Sequence, residues 1–260
     1  MIAVQRVGGT FVRRHRTMHE WAVDELVRRI VSGEAAPGDS LPVEEKLAAE
    51  LGVSRGVLRE AVKTVAGKGM LGIRPRTGTK VLPPAGWNYL DADVLRWQQE
   101  YETRRLLRET VELRRTVEPA AARLAAARRL PDDVKALLEA YERMVAAARR
   151  PDHEGYVEAD AAFHRALLDA TGNRLFGSLG RALDVALQHS FAISTETPGA
   201  LEASLPRHLA VAEAIGRGDG AEAADAVLAI IESAEYEIAH SPALDPDPPA
   251  PPVRNRNPTH

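Results

Sequence analysis

Apolar residues in the first third of the chain recur at intervals of three and four, which is the spacing of amphipathic helices. One such run covers residues 21–31 and ends at Gly33. A second begins at Pro42 and stops at Gly52, and a third follows Ser54, whose hydroxyl suits a helix N-cap. The pattern therefore predicts three short helices in succession.

Two short apolar runs follow the third helix, over residues 70–73 and 79–82, with a turn rich in Pro and Gly between them. This arrangement is typical of a β-hairpin. Three helices with a short turn before the third, followed by a hairpin, predict a winged helix-turn-helix domain. We assign it to residues 16–82, after an arm over residues 1–15 that lacks periodicity and is expected to be flexible.

The remainder of the chain has the helical pattern throughout, with turn signals between the segments and no strand pattern. Long helices joined by short loops form a bundle, so the predicted fold class is mainly α, with an all-helical domain over residues 91–241 after a linker at 83–90. Residues 242–260 carry seven prolines and are expected to stay disordered. The predicted helices of the bundle cover residues 91–100, 103–128, 132–148, 153–171, 174–195, 201–216 and 220–240.

The amino-acid composition excludes several classes of protein and of functional site. The chain contains no cysteine, which excludes disulfides, thiolate metal sites and a cysteine nucleophile. No apolar run approaches the roughly 20 residues that span a bilayer, and the N-terminus lacks the apolar core of a signal peptide, so we expect a soluble cytoplasmic protein without membrane contact. Charge is uneven, because residues 1–82 hold 14 Lys and Arg against 9 Asp and Glu, while residues 83–260 hold 20 against 28. A basic first domain favours a polyanionic partner.

The start of the third predicted helix has the chemistry for reading duplex DNA. Arg55 and Arg59 are four residues apart and share one face of the helix. A guanidinium can bind guanine O6 and N7 together, or a phosphate, whereas two solvated surface arginines are the alternative interpretation. The other residues expected at DNA are Ser54 and Gly56 beside these arginines, and Arg74, Arg76 and Lys80 on the wing.

The motifs of this domain resemble those of the GntR family of bacterial repressors. The resemblance rests on Leu41-Pro42, Glu44, Leu51–Arg55, Leu58–Ala61 and, in the wing, Gly78 with Val81. It implies binding to double-stranded operator DNA as a homodimer, with Arg55 and Arg59 in the recognition role. The family often has an arginine that touches DNA after the glutamate of the second helix. Here Glu45 stands at that position, and Lys46 follows it as the basic residue expected at DNA.

Polar residues within the apolar stripes of the helical domain mark a candidate ligand site. Asp160 and His164 are one helical turn apart on an inward face, and His208 lies at the edge of another. Arg114 also points inward and needs a carboxylate, because burying a lone charge is costly. Glu118, one turn further on, or a bound acidic ligand can supply it. A simple internal ion pair and a hydrogen-bonded core histidine are the alternatives.

The same region resembles the all-helical ligand-binding domain of the FadR-like GntR subgroup. The motifs are Glu112-Leu-Arg114, Glu118–Ala122, Asp160-x-x-Phe163-His164, Gly172-Asn173 and His208. The resemblance implies a small carboxylate effector held by Arg114, Asp160, His164 and His208. In many members an aspartate and three histidines also bind a divalent ion such as Zn, Ni or Mn. Three of those ligands map to Asp160, His164 and His208, but the fourth position holds Ile230.

The junction over residues 87–97 resembles the same stretch of a sugar-acid regulator of this subgroup, which also lacks the last histidine. This implies a sugar-acid effector, such as one like D-galactonate. The expected function is therefore that of a homodimeric repressor that releases its operator when the effector binds. The alternatives are a bundle that only dimerises the protein, or a metal-dependent enzyme or metal sensor built on Asp160, His164 and His208. Glu112 and Glu158 are the nearby candidates for an enzymatic base, but no motif places them.

Overall fold

The computed structural model describes residues 5–7, 10–12, 17–74, 78–150, 152–196, 199–242 and 244. The chain divides into two compact units, Met1–Tyr101 and Glu102–His260. The first contains a winged helix-turn-helix and the second an all-helical bundle, which confirms the predicted fold class. Within the described ranges, every helix is too short or too polar to span a lipid bilayer.

The first unit contains the three predicted helices and the predicted hairpin in the expected order. Its hairpin pairs Leu71 with Val81 and Arg74 with Gly78 in antiparallel register. The helices pack through a core that includes Leu26, Leu47 and Leu58, all almost completely buried. Its elements are β1 (Gln5–Val7), β2 (Thr10–Val12), α1 (Met18–Val31), α2 (Glu44–Leu51), α3 (Arg55–Gly67), β3 (Leu71–Arg74), β4 (Gly78–Val81) and α4 (Ala92–Tyr101).

Local capping explains where these helices begin and end. Thr17 and Glu20 form a reciprocal capping box at the start of α1. Gly52 ends α2 with a φ of 65°, a left-handed conformation that glycine adopts without steric cost. The Ser54 hydroxyl accepts a hydrogen bond from the Val57 amide and caps α3, as its position in the sequence predicts. The turn between α2 and α3 is therefore encoded by neighbouring residues.

The N-terminal segment differs from the arm without regular structure that was expected. β1 and β2 pair antiparallel, with Arg6 opposite Phe11. The rest of residues 1–15 lies outside the described residues, as do Arg76 in the wing and all of the proline-rich tail except residues 242 and 244. Flexibility of the arm and disorder of the tail stay predictions.

The boundary between the units lies later than predicted, because α4 belongs to the first unit rather than to the bundle. Trp97 of α4 is 8% exposed in the core of the first unit, and its indole N–H donates to Asp24 of α1 over 3.3 Å. The Lys68 ammonium donates to Asp91 at 2.7 Å and to Asp93 at 2.8 Å. These contacts attach α4 to the DNA-binding unit, and the stretch predicted as a linker contains a single 3-10 turn, Pro84–Gly86.

The second unit is the predicted bundle. The long helix after α4 packs against the last helix, and its core is built mostly from Ala, Leu, Val and Ile side chains, with Tyr156 and Phe163 fully buried. The helices are α5 (Thr103–Arg128), α6 (Pro131–Ala148), α7 (His153–Asp169), α8 (Arg174–Ala182), α9 (Asp184–Ser194), α10 (Ala200–Arg217) and α11 (Gly220–His240).

One helix of the bundle was predicted wrongly. The segment 174–195 is two helices, α8 and α9, which meet at Leu183. Neither Pro nor Gly marks this break in the sequence. Gly180 lets α8 lie close to α7, since a Cβ there would come within 2.9 Å of Leu168. The separate α9 then packs against α5, α7 and α11, and this brings Phe191 to the polar residues of the bundle.

Candidate functional site

The predicted DNA-reading surface is exposed on α3. The Arg55 and Arg59 side chains are 63% and 60% exposed, while the opposite face of the helix buries Leu58 and Val65 in the core. Gly56 lies beside them, and a Cβ there would meet only the Ser54 hydroxyl, at 3.9 Å. The helix therefore presents both guanidinium groups and an uncrowded stretch of backbone.

Both arginines of this surface form ion pairs with glutamates at the start of α2. Arg55 donates through Nη2 to Glu45, and Arg59 donates through Nη2 to Glu44 over 2.8 Å. The hydrogen bond from Arg59 lowers the pKa of Glu44 below its ordinary value. The resemblance to the family did not anticipate these pairs, because they depend on how α2 crosses α3.

Three of the other basic residues predicted at DNA lie on α2 and on the wing. Lys46 is exposed on α2, with Glu50 3.9 Å away. Arg74 and Lys80 are exposed on the two strands of the wing. All three therefore leave their charges available to a phosphate backbone.

The bundle brings the four predicted ligand residues together from three helices. Nε2 of His164 lies 3.3 Å from Oδ1 of Asp160, and Nε2 of His208 lies 3.2 Å from the same oxygen. Nη2 of Arg114 reaches Nε2 of His164 at 3.2 Å, and its Nε donates to Glu118 at 2.9 Å. All five side chains are at most 5% exposed. The site is thus a buried polar cluster.

Outer contacts set the orientation of both histidines. Nδ1 of His164 faces Oε2 of Glu118 at 2.8 Å, and Nδ1 of His208 lies 3.0 Å from the Ser204 carbonyl oxygen. The contact at His208 has hydrogen-bond geometry and directs its Nε2 to the ligand side, whereas the pair of His164 with Glu118 is a close charge contact without that geometry. Both Nε2 atoms converge on Asp160, and this arrangement is suited to holding a cation or the hydroxyl of a ligand.

Burial and charge act in opposite directions on the pKa values of the cluster. Burial alone raises the pKa of Asp160, but His208 and His164 hold it well below its usual range. Burial likewise raises the pKa of Glu118, yet Arg114 and His164 lower it to about 2. Burial lowers the pKa of His164, but Glu118 raises it above the ordinary value. The two carboxylates are therefore ionised and balance the buried cations.

Arg114 and Asp160 also line a small cavity of about 20 Å³, which has room for roughly one water molecule. Nη1 of Arg114 is buried and has no hydrogen-bond partner among the described residues. The Arg114 guanidinium lies over the Phe191 ring, 4.6 Å from its centroid. The cavity also contains hydroxyls and a carboxylate that the sequence reasoning missed, namely Ser194, Thr195, Ser204, Ser233 and Glu237.

Some of these missed residues had a signal in the sequence. Ser204 is one turn before His208, and Ser233 and Glu237 follow Ile230 at three and seven positions, on the same helix face. Ser194 had none, because its place depends on the break between α8 and α9. Sequence spacing can therefore identify a further cavity residue only when it lies on the same helix as a residue that is already a candidate.

The donor set fits a divalent ion in most respects. One ligand atom from each of Asp160, His164 and His208 lies within 4.8 Å of the others. Ile230 lines the cavity at the position of the missing fourth ligand and offers no donor atom. The Arg114 guanidinium contacts the Nε2 atom of His164 that would bind the ion. Three possible donors thus lie close together, and Arg114 would have to turn away from His164 before an ion could bind there.

The residues considered as an enzymatic base are not at this site. Glu112 and Glu158 are both exposed, and neither lines the cavity. The carboxylates that do contact the cluster, Glu118 and Asp160, already pair with buried cations. The geometry therefore favours binding over proton transfer.

Comparisons with known proteins match both halves of the chain. Residues 19–81 match the family model for bacterial regulatory proteins of the gntR family, and residues 109–233 match the FCD domain. The galactonate operon transcriptional repressor of Escherichia coli K12 is 35% identical over 219 residues, which are 82% of this chain and 93% of that protein. The uncharacterised regulator YieP of the same strain is 33% identical over 81% of this chain and 90% of its own length.

A solved structure agrees with the fold. Lar, which controls expression of the Listeria monocytogenes agr system, superposes with a TM-score of 0.60 at 21% identity. The alignment covers 87% of this chain and 99% of that one. At this identity the likeness establishes the architecture of helix-turn-helix and helical bundle, and nothing more specific.

Proposed function

We propose that this chain, which belongs to the gntR family of bacterial regulatory proteins, is a homodimeric repressor released from its operator by a sugar acid. With its gntR domain and its FCD domain, the chain is a DNA-binding transcriptional regulator rather than an enzyme. A dimer supplies two recognition helices for two half-sites about one helical turn apart. Sugar-acid control is supported by the name of the galactonate repressor, to which the chain is 35% identical.

The observation that carries this proposal is the buried Arg114 guanidinium at the cavity, with one nitrogen still lacking a partner. The two N–H groups on this nitrogen, Nη1, can donate charge-assisted hydrogen bonds to the carboxylate of a ligand. The hydroxyls of Ser194, Ser204 and Ser233 line the same cavity and can both donate to and accept from the hydroxyls of a sugar acid. The cavity thus combines one cation for the carboxylate of a ligand with hydroxyls and the carboxylates of Asp160 and Glu237, which can accept from ligand hydroxyls. This lining suits a short hydroxylated carboxylate better than a long acyl chain.

The size of the cavity links binding to a conformational change. A sugar acid is much larger than the roughly one water molecule that fits now, so the bundle has to open around it. A ligand that binds one of two conformations more tightly shifts the population towards it. By thermodynamic linkage, operator DNA must then weaken effector binding by the same factor. Induction follows from this differential affinity.

A thermal-shift screen of sugar acids, D-galactonate included, tests the proposal. At a hundredfold excess over its Kd, a ligand adds about 2.7 kcal/mol to stability, which raises the melting temperature by roughly 5–10 °C. The same acid is expected to release the protein from operator DNA.

Arg114→Ala is expected to keep operator binding and to lose release by the acid. Arg114→Lys retains the charge without the planar fork and should respond only weakly. Circular dichroism checks that both variants fold. If a folded Arg114→Ala variant releases DNA at the effector concentration of the wild type, the cavity is not the effector site.

We also propose that Asp160, His164 and His208 can hold a divalent ion, with the effector carboxylate or water completing its ligands. When bound, the ion would act as a Lewis acid that attracts the carboxylate. The support is the convergence of three donors, with His208 oriented through its Nδ1 and Nδ1 of His164 facing the Glu118 carboxylate.

Addition of Zn²⁺, Ni²⁺ or Mn²⁺ to chelator-treated protein is expected to raise its melting temperature, since an ion that binds only the folded state stabilises it. His208→Ala removes one donor and should abolish this shift. His153→Ala, at a histidine on the same helix as His164 but outside the cluster, is the control and should keep it. If added ions raise the melting temperatures of His208→Ala and His153→Ala equally, the ion binds elsewhere.

A further inference from the structure

The recognition surface pairs each of its two arginines with a carboxylate. Glu44 and Glu45 occupy the first turn of α2, and Arg55 and Arg59 occupy the first two turns of α3. All four side chains are at least half exposed, and Glu45 is the most exposed, at 74%. The surface expected in the major groove therefore has no net charge, although the domain around it is basic.

A paired arginine at this place keeps part of its hydrogen-bonding capacity. A guanidinium carries five N–H donors in a planar fork, and the contact with Glu45 uses Nη2 of Arg55. The other donors stay available to the O6 and N7 acceptors of a guanine. The carboxylate restricts the rotation of the long arginine side chain, which would otherwise reach neighbouring phosphates.

The carboxylate also acts directly against the DNA backbone. A negative side chain close to phosphates is repelled by them, and this repulsion is the same at every sequence. This repulsion is common to operator and random DNA, so it cancels in the ratio of the two affinities. The difference comes from Arg55: at an operator it is engaged with a base, whereas at a random sequence an unrestrained Arg55 can bind a phosphate, and the contact with Glu45 disfavours that.

We propose that Glu45 is a specificity-determining residue, which holds Arg55 for base reading and suppresses contact with phosphates. The inference rests on the proposed binding of operator DNA. Glu45 is the informative one of the two glutamates because its side chain is the more exposed, at 74%, and it pairs with the arginine at the very start of α3.

The test uses the full-length protein and two duplexes, an operator selected from random DNA by the wild type and a scrambled version of it. Binding is measured at several salt concentrations. Glu45→Gln is expected to raise the affinity for the scrambled duplex about tenfold more than the affinity for the operator. The slope of log K against log salt on the scrambled duplex should steepen by about 0.9, which corresponds to one further phosphate contact. Duplexes selected from random DNA by Glu45→Gln should also vary more at the base that Arg55 contacts than those selected by the wild type.

Glu50→Gln is the matched control. It removes the same charge from the same helix, but Glu50 pairs with Arg29 and lies near Lys46 instead of contacting Arg55. For Glu50→Gln, the ratio of operator affinity to scrambled-duplex affinity should equal that of the wild type. If Glu45→Gln leaves this ratio unchanged, or shifts both affinities equally, Glu45 does not determine specificity. If the wild type itself binds no duplex in a salt-dependent way, the operator-binding function fails, and this inference fails with it.

Discussion

Arg59→Ala is expected to weaken operator binding by roughly 5- to 150-fold, and Arg55→Ala by a similar factor. Each bidentate contact with a guanine contributes about 1–3 kcal/mol of discrimination. Both side chains are mostly exposed and each pairs with an exposed glutamate, so their removal leaves the core of the domain intact. Fluorescence anisotropy with a labelled operator measures the loss, and an unchanged melting temperature shows that the fold is retained.

Two further variants separate charge from geometry. Arg59→Lys keeps the positive charge without the planar fork, so it should recover part of the affinity for any duplex but little of the sequence preference. Arg96→Ala removes an exposed arginine from α4 of the same unit, where it pairs with Asp93. Its affinity should stay close to that of the wild type. An Arg59→Ala variant that is folded and binds the operator normally would remove α3 from the recognition role.

Glu118→Ala is expected to lower the free energy of unfolding by about 3–5 kcal/mol, because it leaves buried charges without their partner. The Glu118 carboxylate contacts both Arg114 and His164, and all three side chains are at most 3% exposed. Its lowered pKa, about 2, shows that the ionised form is the one stabilised in the folded protein. Urea unfolding of the full chain, followed by circular dichroism, measures the change.

The control for this prediction is an exposed ion pair that joins Arg115 of α5, the helix of Glu118, to Glu232 of α11. Glu232→Ala removes a partner of Arg115 whose side chain is mostly in solvent, and should cost at most about 1 kcal/mol. In the double variant with Arg114→Met and Glu118→Met, apolar side chains replace the buried pair. This double variant should be more stable than Glu118→Ala, since it leaves fewer charges buried without a partner. Equal losses for Glu118→Ala and Glu232→Ala would contradict the account of the cluster.

Much of the architecture is legible in short-range patterns. The helix expected over residues 103–128 is Thr103–Arg128, and the one expected over 220–240 is Gly220–His240. Ser54 caps α3 as predicted. Such features depend on residues within a few positions of one another, namely caps, glycine stops and the period of the apolar face. The exposure of Arg55 and Arg59 follows from the same period, since the opposite face of α3 is apolar.

Other features depend on residues that are far apart in the chain. Nothing local assigns α4 to the first unit, because its anchor is Trp97 against Asp24, 73 residues away. The break at Leu183 has no glycine or proline, and arises where α8 packs closely against α7. The pairs of Glu44 with Arg59 and of Glu45 with Arg55 require the crossing of two helices.

The polar cluster of the bundle depends both on local sequence patterns and on contacts between distant residues. The spacing of Asp160 and His164 places them on one helix face, and their inward direction is readable from the apolar residues around them. Packing brings Arg114 and His208 to the same cluster and places Phe191 beneath the guanidinium. Packing also leaves the cavity lined by Arg114 and Asp160 with room for only about one water molecule. Periodicity determines which side of a helix is buried, whereas the partner on the other side is selected by the free energy of the whole assembled core.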